Sequence, residues 1–182
     1  YNTALGLEAL ELNTGDYNTA VGSEALESNT TGSYNTGVGE EVLESNTEGQ
    51  YNTSVGYKSL ATITTQNYNT AVGYKALEDN VENSQTAFGY KALSKQTTGD
   101  WNSGFGMEAL YHNKTGSANT ALGYQSLFGA TDNSHEYNTA IGYFTGKDIT
   151  TGSYNTILGA ETMSSNTTGS YNVAVGFRSL LL

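Results

Sequence analysis

Few side chains in this sequence could carry out chemistry. The 182 residues include no Cys, and the only histidines are His112 and His135. The absence of Cys excludes disulfides and thiolate metal sites. The histidines lie in separate polar segments, 23 residues apart, where no carboxylate and nucleophile would converge on them. We interpret both as solvated loop residues, and we predict a protein that is not an enzyme and needs no cofactor.

Carboxylates are the remaining candidates, because three of them recur at regular intervals. Glu8, Glu24 and Glu41 are separated by 16 and 17 residues, and Lys58 and Lys75 continue the same series. The glutamates could hold a cation or pair with charges of another chain. They could equally form a hydrated surface on which the long side chains splay apart. This interpretation is favoured, because exposed charge pairs stabilise proteins little.

The charge balance limits the possible partners. The formal net charge is −11, and only seven residues are Lys or Arg. A protein that binds nucleic acid or an anionic membrane needs a cluster of basic side chains, and seven scattered cations cannot form one. No apolar run in the sequence reaches the ~18 residues that a transmembrane helix needs. We therefore expect that this segment binds no nucleic acid and does not insert into a membrane.

A repeat of 16 to 19 residues runs through the whole chain and starts with the consensus Tyr-Asn-Thr-Ala-Val-Gly. Such repetition is typical of a solenoid, in which each unit is too short to bury a core alone and stacks on its neighbours. Positions within a unit are numbered from its first residue. The eleven units begin at Tyr1, Tyr17, Tyr34, Tyr51, Tyr68, Ser84, Trp101, Ala118, Tyr137, Tyr154 and Tyr171.

The sixth position of the unit is Gly in every copy. A Gly at the same place in all units marks a corner that needs a positive φ or a close approach of two backbone segments. We therefore interpret this column as the structural corner of the coil. It comprises Gly6, Gly22, Gly39, Gly56, Gly73, Gly89, Gly106, Gly123, Gly142, Gly159 and Gly176.

The other columns predict a strand, the Gly corner, a short second strand and a polar turn. Position 5 is always large and apolar, position 4 is small in ten units, and position 10 is Leu in nine. Because side chains alternate across a strand, positions 3 and 5 share one face and positions 2 and 4 share the other. We predict that the apolar position 5 fills the coil opposite the Leu of position 10. The residues concerned are Val21, Val38, Val55 and Val72, opposite Leu26, Leu43, Leu60 and Leu77.

This arrangement leaves the Asn of position 2 and the small residue of position 4 on the outside, where another sheet could approach closely. Each coil also offers few large core side chains, so a lone chain would bury little apolar area per ordered residue. We therefore predict an all-β fold, a parallel β-solenoid with one coil per unit, that assembles as a homotrimer through this face. Residues 1–182 form a single repeat domain, interpreted as a segment of a longer fibrous protein.

The motif Tyr-Asn-Thr-Ala-Val-Gly, followed three residues later by a small residue and Leu, resembles two related groups of repeats. One is the head repeat of trimeric autotransporter adhesins, whose Asn-Ser-Val-Ala-Ile-Gly hexads align with it. The other is the Tyr-Asn-Thr-Ala-Val-Gly-Tyr-x-Ala-Leu repeat of phage tail fibres and large surface proteins. The resemblance implies trimers of left-handed parallel β-rolls in extracellular fibres that bind cell surfaces or matrix. This sequence departs from the heads in having Thr where they have Val, and in having a longer unit.

From these features we expect a structural and adhesive segment of an extracellular trimeric fibre. Its partners would be other copies, neighbouring fibre segments and a cell-surface receptor or glycan. The alternative is a monomeric surface-binding solenoid, such as an ice or glycan binder. A Thr column could order water on a flat face, but position 3 shares its face with the large apolar position 5, which favours its burial. The aromatic column at position 1 would stack sugars if exposed, and its regular copying favours a structural role.

Irregular units are the better candidates for a specific contact. The spacing between Ala118 and Tyr137 is 19 residues, the longest in the chain. Insertions in solenoids map to surface loops. The candidate contact residues in this loop are Phe128, Asp132 and His135, and a neutral bulge is the competing interpretation.

Overall fold

In the computed structural model, which describes residues 1–130 and 133–181, each unit contributes one short strand to a single sheet. Each strand covers positions 3 to 5 of its unit, and the strands lie side by side in chain order. No helix occurs in the described part of the chain. The strands are β1 (Thr3–Leu5), β2 (Thr19–Val21), β3 (Thr36–Val38), β4 (Thr53–Val55), β5 (Thr70–Val72), β6 (Thr86–Phe88), β7 (Ser103–Phe105), β8 (Thr120–Leu122), β9 (Thr139–Ile141), β10 (Thr156–Leu158) and β11 (Val173–Val175).

Neighbouring strands are parallel, and equivalent residues of successive units are paired in register. Thr3 of β1 pairs with Thr19 of β2, for example. Backbone hydrogen bonds run from coil to coil, as where the Gly39 N–H donates to the Val21 carbonyl at 2.8 Å. The prediction of an all-β, parallel β-solenoid with one coil per unit is therefore confirmed.

The predicted second strand does not form. After the Gly corner the chain curves through turns, because residues at positions 8 and 10 have left-handed backbone angles, with φ of 56° at Glu24 and 54° at Leu26. Position 1 is also left-handed, with φ of 58° at Tyr17. Each such non-Gly residue costs about 1–2 kcal/mol. The coil-to-coil hydrogen bonds offset this cost, since the Leu26 N–H still donates to the Val42 carbonyl at 3.0 Å.

The Gly corners need Gly for two reasons. Their φ angles lie between 119° and 143°, a range that residues with a side chain rarely adopt. In addition, a Cβ on Gly22 would lie 2.2 Å from the carbonyl oxygen of Gly39 in the next coil. Any side chain would therefore collide with backbone that is fixed by the ladder. At Gly176 nothing lies within 4 Å of the Cβ position.

The interior is filled from positions 4 and 10. Ala20 and Leu26 are fully buried, whereas Val38 and Val55 are 37% and 36% exposed. The prediction for the Leu column is confirmed at Leu26, Leu43, Leu60 and Leu77. The prediction for position 5 is wrong, because the strand presents its other face to the core, and this applies to Val21, Val38, Val55 and Val72.

The width of the coil explains why position 4 is small. A Cβ on Gly37, which occupies position 4, would lie 3.5 Å from Leu26 Cδ1 of the preceding coil and 3.1 Å from Val42 Cγ1. The Leu of the preceding coil therefore takes the space opposite position 4. The small-residue column is the inner surface of the coil, so the predicted trimer contact through the Asn and small-residue face is wrong.

A ladder of buried amides runs along the same inner surface at position 2. The Oδ1 atom of Asn35 accepts the backbone N–H of Asn52 at 3.0 Å, and its Nδ2 donates to the Gly49 carbonyl at 2.7 Å. The first bond joins adjacent coils, and the second closes the coil that contains Asn35. Gln85 takes the same two roles in its unit, through bonds to Asn102 at 3.0 Å and to Gly99 at 2.6 Å. The ladder thus satisfies backbone groups that side chains of the apolar core could not.

Candidate binding surface

An apolar column runs along the outer face of the sheet. The side chains at position 5 point outward, and Phe88 and Leu122 are 51% and 50% exposed. Position 3, mostly Thr, alternates with them on the same face, as predicted. Its predicted partial burial holds in some units, such as those of Thr19 and Thr36, whereas Thr120 and Thr139 are exposed. Exposed apolar patches of large area are typical of binding surfaces, so this strip is the candidate surface. It comprises Leu5, Val21, Val38, Val55, Val72, Phe88, Phe105, Leu122, Ile141, Leu158 and Val175.

An aromatic ladder at position 1 is the second feature of the surface. The rings of Tyr17, Tyr34 and Tyr51 stack nearly parallel, with centroids 4.9 and 5.0 Å apart. Each of these rings is about half exposed. The rings therefore stack on one another along the solenoid, and they remain partly accessible from the side.

The ladder is interrupted near the middle of the chain. Ser84 and Ala118 occupy position 1 on the two sides of Trp101, and no ring of the described residues stacks on the indole. Trp101 is 65% exposed. Tyr68, the last ring before the gap, is 62% exposed, compared with 47% for Tyr51 inside the ladder. The gap thus uncovers aromatic surface that the regular units hide.

A second aromatic ladder, which was not predicted from the sequence, follows the Gly corner at position 7. Tyr57, Tyr74 and Tyr90 stack with centroids 5.4 and 5.3 Å apart. In these three units the Lys at position 8 places its ammonium 5.3 to 5.8 Å from the centre of the preceding ring. Lys58 also contacts Glu41 at 2.6 Å, and the hydrogen bond to Glu41 raises the pKa of Lys58. The available signal was the Tyr-Lys pair repeated in three successive units.

The acidic surface gathers three glutamates. One oxygen from each of Glu24, Glu27 and Glu44 lies within 4.8 Å of the others. Desolvation raises the pKa of Glu27 and of Glu44. The charges of neighbouring glutamates raise both pKa values further. The largest of these charge effects comes from Glu8 at Glu27 and from Glu41 at Glu44. Of the predicted column Glu8, Glu24 and Glu41, only Glu24 belongs to this cluster, and Glu27 and Glu44 are its other two members. Such a cluster is able to take a hard cation with oxygen ligands.

The interpretation of both histidines as solvated is wrong for His135. Its side chain is fully buried, and among the described residues neither ring nitrogen has a hydrogen-bond partner. Burial lowers its pKa from 6.5 to about 4, against a weaker opposing effect of the Leu127 and His135 carbonyls. The imidazole is therefore neutral at pH 7.

The position of His135 follows from the amide ladder. Asn119 donates to the His135 carbonyl at 2.8 Å, as Asn102 donates to the Gly116 carbonyl at 2.8 Å in the coil before. His135 thus stands where most units have the Gly of their polar turn. Its side chain has to enter the coil, which sequence reasoning could not foresee because the insertion obscures the alignment.

The long turn does not expose both Phe128 and His135. The Phe128 ring is half buried and stacks on Tyr111 with centroids 5.6 Å apart, while His112 meets it edge-on at 4.9 Å. His135 lies inside the coil, and Asp132 lies outside the described residues. Phe128 is therefore the one member of the predicted set that the described structure leaves partly accessible.

An open cleft of about 330 Å³ lies on the turn side of the ninth and tenth units. The Lys147 ammonium lies 5.1 Å from the centre of the Phe144 ring, and Glu161 accepts a 2.7 Å hydrogen bond from Arg178. The cleft is lined by Tyr143, Phe144, Lys147, Asp148, Glu161, Ser164 and Ser165. Two of its three charged side chains are thus already engaged, Lys147 with the ring and Glu161 with Arg178, so it is a weaker candidate than the outer face.

In the described part of the chain, no helix has the length and apolar character that crossing a membrane would require. Comparison with known proteins finds no family model, no curated protein and no solved structure that matches this chain.

Proposed function

We propose that this chain is a structural and adhesive segment of an extracellular fibre, in which three copies assemble side by side and attach to a cell surface or matrix. The proposal includes a coil of the left-handed β-roll type. The observation that carries it is the apolar column at position 5, which is exposed in nine of the eleven units and partly exposed at Val21 and Val72. A regular stack of short coils is also a suitable building unit for a fibre, because it extends in one dimension.

The composition of the outer face supports self-association. Positions 3 and 5 carry no charged residue in any of the eleven units, although the chain has a net charge of −11. Large apolar side chains therefore meet no like charge when copies approach. Around a threefold axis, each copy would bury its column against the columns of the other two. This contact replaces the small-residue face that the sequence suggested.

The mass of the assembly tests the proposal. Light scattering coupled to size exclusion is expected to give three times the chain mass of 19.3 kDa. Val38→Lys, Phe105→Lys and Ile141→Lys, combined in one chain, place charges in the centre of the contact and should reduce the mass to that of one chain. The matched control carries Thr31→Lys, Thr98→Lys and Thr168→Lys, three exposed residues of the polar turn. A wild-type monomer, or equal masses for both variants, contradicts the trimer.

Attachment requires its own assay. Particles coated with the purified chain are expected to bind surfaces that carry whole cells or extracellular matrix more than particles coated with an unrelated protein of equal charge. Absence of binding across bacterial cells, animal cells and matrix contradicts the adhesive part of the proposal, and a purely structural segment then remains.

The monomeric surface binder stays a second candidate because of the outward Thr column. Thr residues at position 3 face solvent in successive, in-register strands, for example Thr120, Thr139 and Thr156. This removes the reason for expecting Thr to be buried. Ice binding predicts that the monomer lowers the freezing point below the melting point of the solution. Thr120→Tyr and Thr139→Tyr should abolish that effect, whereas substitutions in the polar turn should not.

A further inference from the structure

The gap in the aromatic ladder has the thickness of one ring. Adjacent rings of the position 1 ladder are 4.9 to 5.3 Å apart between Tyr17 and Tyr68. Two coil spacings separate Tyr68 from Trp101, which is about 10 Å at the usual strand separation. Ser84 takes the place of the ring between them. A flat ring entering there would lie at the normal ladder distance from both neighbours.

Exposure distinguishes this gap from the one on the other side of Trp101. Tyr68 is 62% exposed, against 47% to 49% for Tyr17, Tyr34 and Tyr51, so its ring has lost cover on the Ser84 side. Tyr137, which borders the Ala118 gap, is 49% exposed and has lost none. The open slot is therefore the one between Tyr68 and Trp101.

Polar residues lie next to this slot along the chain. Ser84 supplies a hydroxyl, and Asn83 precedes it in the chain with an amide held by a 2.7 Å hydrogen bond from the Asn67 N–H. Asp100 directly precedes Trp101, and its charge adds to desolvation in raising the pKa of Glu82. The chain next to the two aromatic residues thus carries a hydroxyl, an amide and carboxylates.

We propose that this slot binds one neutral pyranose ring of a glycan, an inference that rests on the adhesive function proposed above and names its ligand. The C–H groups of a pyranose suit the electron-rich faces of Tyr68 and Trp101. Its hydroxyls suit the hydroxyl of Ser84 and the carboxylate of Asp100 as hydrogen-bond partners, which an apolar aromatic ring does not. The acidic edge disfavours uronic or sialic acids, because like charges repel in a partly dry site.

Trp101 is the only Trp in the chain, so its fluorescence reports on the slot directly. We would titrate the wild-type chain with the methyl glycosides of glucose, galactose, mannose and N-acetylglucosamine, and with methyl glucuronide. At least one neutral glycoside is expected to shift the emission to shorter wavelength and to protect Trp101 from quenching by iodide or acrylamide. The glucuronide should bind about tenfold more weakly or not at all.

Two variants test which of the two gaps beside Trp101 binds the glycoside. Ser84→Tyr completes the ladder with the residue that most units have, at a position whose φ of 57° matches that of Tyr51. It should abolish the glycoside response while keeping Trp101 in place. Ala118→Tyr is the matched control, because it fills the gap on the other side of Trp101 and should leave the affinity within about threefold of wild type, less than the effect of one ring stack.

The outcomes are distinguishable. No response to any neutral glycoside, or an equal response in the Ser84→Tyr variant, overturns the pyranose slot. If the same wild-type preparation still attaches coated particles to cells, the adhesive function survives that failure. A glycoside response without attachment keeps the slot and rejects the adhesive function. Loss of the response in the Ala118→Tyr variant but not in Ser84→Tyr would assign the ligand to the other gap and contradict the proposal as stated.

Discussion

The Cδ1 atom of Ile157 lies 3.1 Å from the point where a Cβ on Gly146 would stand. Ile157 is the one large residue at position 4, and Gly146 is the smallest residue at position 10, in the coil before it. The isoleucine therefore fills the space that Leu occupies in most other coils. Gly146 has φ of 60°, close to the 51° of Leu60 at the same position, so its backbone would accept Leu.

A double-mutant cycle on this pair tests the packing rule. Ile157→Ala should cost about 2–4 kcal/mol of unfolding free energy through the cavity it leaves. Gly146→Leu alone should also destabilise, because three side-chain atoms already lie within 3.1 Å of the new Cβ. The double variant restores the common Leu and Ala pair and removes one of the three close atoms, so its loss should be smaller than the sum of the two single losses. Additive losses in chemical denaturation would contradict direct packing of the two positions.

The Gly corners predict a difference between two identical substitutions. Gly56→Ala has both φ of 124° and a Cβ 2.6 Å from the Gly73 carbonyl oxygen, so it should unfold the chain or cost several kcal/mol, about 3 or more. Gly176→Ala has φ of 119° but no atom within 4 Å, and should cost about 1–2 kcal/mol. Thermal unfolding followed by circular dichroism separates the two. Equal losses would mean that backbone angle alone, and not coil contact, selects Gly.

The amide ladder predicts that Asn52 is replaceable only by another amide. Asn52→Leu removes the acceptor of the Asn69 N–H and the donor to the Gln66 carbonyl, so it should cost about 2–4 kcal/mol. Asn52→Gln should cost less, because Gln85 already makes both bonds in its own coil. Urea denaturation of the two variants measures the difference, and a stable Leu variant would show that the ladder is dispensable.

The direction of the pleat predicts opposite effects at adjacent columns. Ala71→Asp places an unpaired charge in the dry interior and should prevent folding. Val55→Asp places the charge on a side chain that is 36% exposed, and should change the stability of the monomer by less than about 1 kcal/mol. Both are measured at concentrations where a single chain is present. If the Val55 variant were the damaged one, the strand faces would be reversed.

Buried His135 predicts a specific loss of stability in mild acid. Its folded pKa of about 4 lies below the ordinary 6.5, so the unfolded chain binds the proton more readily. Stability should therefore fall as pH falls from 6.5 to 4, by up to about 3 kcal/mol. The carboxylates titrate in the same range, so the test is a comparison of variants. His135→Gly, the residue of the adjacent coils, should remove this part of the pH dependence, and His112→Gln should keep it.

The repeat could be predicted from the sequence to form a parallel coil, but the side chains that fill the interior of the coil could not. The Gly column and the regular spacing were enough to predict a parallel stack, because both follow from one backbone geometry repeated. Alternation correctly paired Thr53 with Val55 and Asn52 with Ser54 on opposite faces. Alternation alone does not determine which face lies inward. The size and polarity of the side chains predicted that Val and Phe are buried, whereas the buried face holds Asn and Ala and the exposed face holds Val and Phe.

Units that depart from the consensus indicate which positions lie in contact inside the coil. Ile157 and Gly146 depart from their columns in consecutive coils, which is the pattern expected of two positions in contact. Ser54 and Ser59, both polar where Ala is usual, also meet, with their hydroxyl oxygens 2.5 Å apart. The burial of His135 had no such signal, because the insertion before it left the register of that turn ambiguous. The isolation of Trp101 is visible in the sequence, because Ser84 and Ala118 occupy position 1 on its two sides.

The amide ladder also makes successive coils structurally equivalent. The Oδ1 atom of each ladder amide meets the same backbone N–H of the next unit, whether the pair is Asn18 with Asn35 or Asn138 with Asn155. Removing residues 34–50 would bring Asn18 against Asn52 and keep the same type of ladder bond. The length of such a molecule can therefore change in steps of one rung, about 4.8 Å, by gain or loss of whole units. Recombination between repeats can therefore change the length of the solenoid while the fold of each coil stays the same.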